Sequence, residues 1–247
     1  MVLRPGHACS SAATDSRSGS PYTERVPSAT SSCVLIPVKA FSQAKLRLAS
    51  VLSNLERAEL AQAMASIVVS ASAPLPTFVA CEDEEVASWA ESVGAKVQWT
   101  PGRDLNGAVQ EAVARLQAQG MQRVVVCHAD LPFAQNLAAL ALADPTELIL
   151  VADRRGQGTN VISVPTGGGF TFSYGAGSFP RHQHEATVQG LSLRVVQSPS
   201  LSWDVDEPED LQVPSGFEGS SPLLAQGRIS AVNLSLAPPK TERQQTE

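Results

Sequence analysis

Two stretches of the chain run through apolar residues and end on aspartate. Arg123-Val124-Val125-Val126-Cys127-His128-Ala129-Asp130 passes directly into Leu131-Pro132. Leu201-Ser202-Trp203-Asp204-Val205-Asp206 passes into Glu207-Pro208-Glu209-Asp210. A β-branched run closed by Asp predicts a buried parallel strand that delivers a carboxylate at its carboxyl end. Open α/β sheets bind ligands along that edge. Asp204 and Asp206 are two apart, so on extended backbone they share a face. Three carboxylates brought to one crevice suit a hard divalent cation, Mg²⁺ with a phosphorylated substrate. The alternative for Asp206, and less so for Asp204, is the cap of a terminal helix. Asp130 has a poorer alternative, because Leu131-Pro132 follows at once.

Cations gather after an earlier apolar run. Lys39, Lys45 and Arg47 fall within nine residues behind Cys33-Val34-Leu35-Ile36-Pro37-Val38, a plausible cradle for a polyphosphate in which Lys acts as a point charge and Arg as a fork. No GxxxxGK[ST] loop is present, and a solvated basic loop is the competing reading. Asp104-Leu105-Asn106-Gly107 opens a helix; Asp104 reads as its cap, and Asn106 could present its amide to a base or ribose. Asp153-Arg154-Arg155-Gly156-Gln157-Gly158-Thr159 and Tyr174-Gly175-Ala176-Gly177-Ser178 are Gly-punctuated turns whose N–H groups and hydroxyls suit an anionic oxygen. A tight connection explains the first equally well. Arg181 and His182 fall in the first turn of the helix that Ser178 would cap, where positive charge opposes the helix dipole and a bound phosphate would compensate. His182 and His184 are two apart on a helix and do not face one way, so they make a poor metal pair. His128, inside an apolar strand, reads as a core histidine.

These groups need elements to hold them. Strands are expected at 33–39, 77–82, 95–100, 123–130, 147–153, 160–165 and 193–197, with 170–174 extending the sixth as a hairpin. Helices are expected at 54–71, 83–93, 105–119, 133–143 and 178–189. Ser53 with Glu56 forms a capping-box pattern, and Gly94 and Gly120 read as helix stops. The alternation predicts an α/β fold: a mixed, mostly parallel sheet with helices on both faces. The 247 residues, 43% hydrophobic and 17% charged, fit one soluble domain at 33–211 between a disordered tail at 1–32 and a flexible tail at 212–247. A net charge of −6 argues against a nucleic-acid binder. No apolar stretch reaches the roughly 20 residues of a membrane span. Four cysteines without CxxC spacing read as reduced thiols of a cytoplasmic protein.

Five blocks in order, IPVKAFSQAKLRLASVLSNLERAELAQAM, HADLP, DRRGQGTN, YGAGSFPRHQHEA and DVDEPEDL, resemble the CofC/FbiD family, the guanylyltransferases of coenzyme F-420 biosynthesis. The resemblance spans about residues 33–211. It implies a nucleotidyltransferase fold of the nucleotide-diphospho-sugar transferase kind, with GTP and Mg²⁺. It also implies transfer of GMP to the phosphate of phosphoenolpyruvate, or of 2-phospho-L-lactate or 3-phosphoglycerate, with loss of diphosphate. By the same resemblance Asp130, Asp204 and Asp206 are metal ligands. Thr159, Gly175 and Ser178 hold the acceptor, and Lys39, Lys45 and Arg47 hold the triphosphate. A transient contact with the downstream transferase is implied as well. His128 and Trp203 depart from the family pattern without removing a ligand. A molybdopterin guanylyltransferase is disfavoured, since the first loop lacks LAGGxSxRMGxxK; a non-catalytic nucleotide-binding protein would not need all three aspartates.

Overall fold

The computed structural model describes residues 31–214, 217 and 221–232. Seven strands form one sheet: β1 (Ser32–Pro37), β2 (Thr77–Cys81), β3 (Lys96–Trp99), β4 (Arg123–Cys127), β5 (Glu147–Ala152), β6 (Thr159–Pro165) and β7 (Ser192–Val195). Their order is β3-β2-β1-β4-β6-β5-β7. Only β6 runs against its neighbours, pairing antiparallel with β4 and β5. The mixed, mostly parallel sheet is thus the expected one.

The central strands are apolar on both faces because both are covered. Val34, Ile36, Val79 and Val125 pack towards α1 (Asn54–Ala71) and α2 (Glu84–Ser92). Cys33, Leu35, Val124 and Val126 pack towards α3 (Leu105–Ala118) and α4 (Ser178–Val188). Local chemistry starts the helices where expected: Glu56 N–H donates to Ser53 Oγ at 3.3 Å while Ser53 N–H donates to Glu56 Oε2 at 2.8 Å, and Asp104 Oδ1 accepts from Gly107 N–H at 2.8 Å. Cys33, Cys81 and Cys127 are buried free thiols; Cys9 lies outside the described residues. No helix among the described residues is long and apolar enough to cross a membrane.

Four expectations differ from what the structure shows. Residues 133–143 are not an α-helix: Asn136 takes the left-handed conformation (φ 52°) and only Leu137–Ala141 coil, as a 3-10 turn. That turn sends Phe133 into the cluster under α1 and Leu137 into the core against the sheet, which one helical face could not do. Residues 170–174 form no strand. Gln110 and Asn106, one turn apart on α3, bond their main chain instead: Gln110 Nε2–H to Phe170 O at 3.1 Å, Phe172 N–H to Gln110 Oε1 at 3.3 Å, and Tyr174 N–H to Asn106 Oδ1 at 2.6 Å. Leu201–Asp206 is not a strand either; a short turn, α5 (Pro199–Ser202), precedes irregular backbone.

The boundary at 211 is also not a physical edge. β8 (Gln212–Pro214) pairs with β9 (Ser230–Val232), and between them Leu223 of α6 (Pro222–Ala225) and Ile229 are buried with Leu60, Met64 and Trp203. Of the tail expected at 1–32, Ser32 instead opens β1 and is buried, while residues 1–30, and 215–216, 218–220 and 233–247 of the tail expected at 212–247, lie outside the described residues.

Candidate active site

The cleft opens at the carboxyl ends of β1 and β4, adjacent strands whose chains leave in opposite directions along the sheet. It measures about 490 Å³ and is lined by Lys39, Phe41, Lys45, Arg47, Leu105, His128, Asp130 and Asp206 among others. Lys45 sits in the left-handed region (φ 53°), a conformation costly for a residue with a Cβ. Its side chain is only 10% exposed, and its ammonium donates to Asp130 Oδ2 at 2.6 Å and to Asp206 Oδ1 at 2.8 Å. Burial opposes the charge on Lys45, but the two carboxylates outweigh it and raise its pKa. Burial likewise pushes Asp130 up, yet Lys45 and then His128 bring it below the usual range. Lys39 is exposed on the cleft wall. Arg47 is exposed and pairs with Glu207 at 3.1 Å.

Asp204 lies behind this pair, 8% exposed, with Asn160 Nδ2 at 3.5 Å. Its pKa is raised, by burial first and then by Asp130 and Asp206. The two acidic segments are joined by the main chain, since Val205 N–H donates to Asp130 O at 3.2 Å. Asp210 holds the second segment and was not among the residues singled out from sequence. It is fully buried and accepts from Asp206 N–H at 2.8 Å and Glu207 N–H at 2.7 Å. It also pairs with Arg154 and, at 3.5 Å, with Arg155. Trp203 completes the frame: its Nε1–H donates to Asp210 O at 3.1 Å and Arg154 lies 4.5 Å over its ring. The signal available in sequence was Asp three residues after Glu207, with Pro208 opening the turn between.

The two Gly-rich turns meet, as Phe179 N–H donates to Gln157 O at 3.0 Å. A side chain on Gly158 would bring Cβ to 2.8 Å from Asp153 Oδ2, so the Asp153 carboxylate, which accepts from Arg155 and Gln157 N–H, would have to shift. Gly175 takes φ 112°. Thr159 and Ser178 are buried and adjacent, Oγ1 and Oγ 3.4 Å apart. Two residues expected to face a ligand are engaged by the protein. Asn106 both accepts from Tyr174 N–H at 2.6 Å and donates to Tyr174 O at 3.3 Å, so its amide ties α3 to the loop rather than pointing at a base. Arg181 spends its guanidinium on the carbonyls of Ser173, Tyr174 and Ala176. The expected conflict of charge with the α4 dipole is thereby relieved without a phosphate. His182 is fully buried with a pKa held down to about 4, by burial first and then by Arg181 and His128. His128 is half-buried on the cleft wall, its ring 5.0 Å from that of Tyr174.

Among the described residues no three carboxylate, His or Cys groups are gathered closely enough to hold a metal ion. The donor chemistry is nevertheless of the kind a hard cation takes. Asp130 Oδ1 is buried without a hydrogen-bond partner, and the neighbouring carboxylates are hard oxygen donors that already share a cation, the Lys45 ammonium.

Residues 32–213 match the family model described as guanylyl transferase CofC like. The chain is 33% identical over 193 residues to a phosphoenolpyruvate guanylyltransferase of Chloroflexus aggregans, covering 72% of this chain and 94% of that protein. It is 36% identical over 184 residues to a 2-phospho-L-lactate guanylyltransferase of Methanothermobacter thermautotrophicus, covering 72% and 82%. Among solved structures, a protein described as a nucleotide-diphospho-sugar transferase from Desulfovibrio desulfuricans superposes with a TM-score of 0.62 at 20% identity, covering 74% of this chain and 85% of that one.

Asp210→Asn removes a buried anion that orders two amides and pairs with Arg154; urea unfolding at pH 7.5 should show a loss of about 2–3 kcal/mol. Asp204→Asn should act oppositely. The folded pKa of Asp204 is raised, by burial first, so the penalty on the native state builds as pH rises from the unfolded value of about 4 and is complete above the folded value; Asn removes it. In EDTA the thermal midpoint of the variant should exceed wild type at pH 7.5, with the gap closing towards about pH 4, where Asp is half protonated even unfolded.

Proposed function

This chain belongs to the CofC-like guanylyl transferase family, and from that premise we propose that it transfers GMP from GTP to the phosphate of phosphoenolpyruvate, releasing diphosphate, as a step of coenzyme F-420 biosynthesis. The observation that carries the reading is the Lys45 ammonium shared by Asp130 and Asp206 at the mouth of the cleft. Cations and carboxylates interleaved at a sheet's carboxyl edge suit a polyanion delivered with a cation.

In this reading Lys39, Lys45 and Arg47 line the triphosphate side and offset the charge that builds on the departing diphosphate. Asp130, Asp204 and Asp206 would hold Mg²⁺, which when bound neutralises charge on the transferring phosphoryl group. Thr159, Ser178 and the main chain at Gly175 receive the acceptor's carboxylate. An oxygen of the acceptor phosphate attacks the α-phosphorus as the bond to the diphosphate oxygen breaks. That oxygen is already anionic, so no general base is required. Positioning and charge neutralisation carry the rate, as in other phosphoryl transfers. The product is a phosphoanhydride. Its transient hand-over to the transferase that consumes it belongs to the same proposal.

Diphosphate release from GTP and Mg²⁺, followed separately with phosphoenolpyruvate, 2-phospho-L-lactate and 3-phosphoglycerate and with the downstream transferase present, should be fastest with phosphoenolpyruvate. A faster rate with another acid would reassign the acceptor, and none with any would refute transfer. Asp130→Asn and Lys45→Ala should each lower kcat/KM by about 10²–10³-fold, with circular dichroism unchanged. Near-normal rates in either would remove that residue from the site.

A further inference from the structure

His182 is a buried titratable group that the proposed reaction leaves without a task. Its ring is gripped at both nitrogens. Ser173 N–H donates to Nε2 at 2.9 Å, and Nδ1 lies 3.0 Å from Thr159 Oγ1. A nitrogen that accepts from a main-chain amide carries no proton, so a neutral ring must carry its proton on Nδ1. Burial, with Arg181 and His128 facing the ring and only Glu185 opposing them, keeps it neutral across the physiological range. Nδ1–H therefore donates to Thr159 Oγ1.

Counting protons along this chain gives a direction. His182 Nδ1–H, the Thr159 hydroxyl and the Ser178 hydroxyl hold three protons between them. The His182–Thr159 contact uses the first, and the 3.4 Å contact between the hydroxyls uses one of the other two. One hydroxyl proton is left to donate. If the ring carried its proton on Nε2, Thr159 would donate to Nδ1 and the spare donor would be spent inside the protein.

We propose that His182 is a positioning residue for acceptor binding: the Ser173 amide fixes its tautomer, and its Nδ1–H leaves the buried Thr159–Ser178 hydroxyl pair with one proton to donate to the anionic end of the acceptor. The proposal rests on the assignment of Thr159 and Ser178 to the acceptor. It assigns a residue that touches neither substrate.

Two substitutions separate this role from simple core packing. An Asn amide reaches the place of Nδ1 and can still donate to Thr159; a Gln amide reaches the place of Nε2 and keeps only the Ser173 contact. His182→Asn should hold the acceptor KM within about twofold. His182→Gln and Thr159→Val should raise it about tenfold, the worth of one hydrogen bond to a charged group, with kcat and the GTP KM within about threefold. Equal behaviour of the Asn and Gln variants, or losses confined to kcat, would overturn the proposal. Imidazole ¹⁵N shifts give a readout independent of turnover. The wild-type ring should show the neutral Nδ1-protonated form throughout pH 6–9, and an Nε2-protonated or charged ring would overturn the proposal even in an active enzyme. If no acid supports diphosphate release while the Nδ1–H form is observed, the reaction assignment fails and the tautomer stands.

Discussion

Anions crowded at the edge of a sheet repel one another, and this molecule is organised around the cation that lets them coexist. Asp130 and Asp206 come from segments far apart in sequence, yet one ammonium meets both. At such distances, in partly desolvated surroundings, each attraction is several times its strength in water. Lys45 reaches this place only because its own backbone turns left-handed within the loop after β1. The first strand, the fourth strand and the late acidic segment are thus tied at one point. The strain at Lys45 is offset by two charge-assisted bonds.

The scaffold around that point is made as much by side chains as by secondary structure. The acidic segment has no ladder to fix it. Asp210 replaces one by receiving two successive amides, and Trp203 and Arg154 close over it. Val205 joins it to Asp130 through the main chain. A buried carboxylate that orders backbone is expensive to strip of its partners, so the loop keeps its shape around Asp204 and Asp206. Asp204 shows the cost, with a charge disfavoured by burial and by its neighbours.

Much of this was legible in the chain. Runs such as Val124–Cys127 announce strands buried on both faces, and Ser53 with Glu56 announces α1 to the residue, because these signals are local. The candidate carboxylates and Lys45 were legible for the same reason: each closely follows an apolar run. What was not legible depends on partners distant in sequence. Asn106 and Arg181 carry groups that look free on paper, yet the main chain near Tyr174 engages both. Residues 133–143 have helical composition, and tertiary burial of Phe133 and Leu137 in separate clusters decides otherwise. Residues 212–232 look like a tail by composition, but Leu223 and Ile229 find an apolar seat beneath α1 that no local pattern announces.

The two amides of α3 that hold residues 170–174 set a different kind of limit. A strand in that place would inherit the sheet's register, and one inserted residue would turn every side chain over. A segment pinned at Phe170, Phe172 and Tyr174 by Gln110 and Asn106 is free of that bookkeeping. The slack in the connection from β6 to α4 therefore lies before the first pin, at Gly167 and Gly168, where an added Cβ would meet nothing within 4 Å. Length can change there one residue at a time while the pinned segment that leads to Ser178 keeps its place on α3.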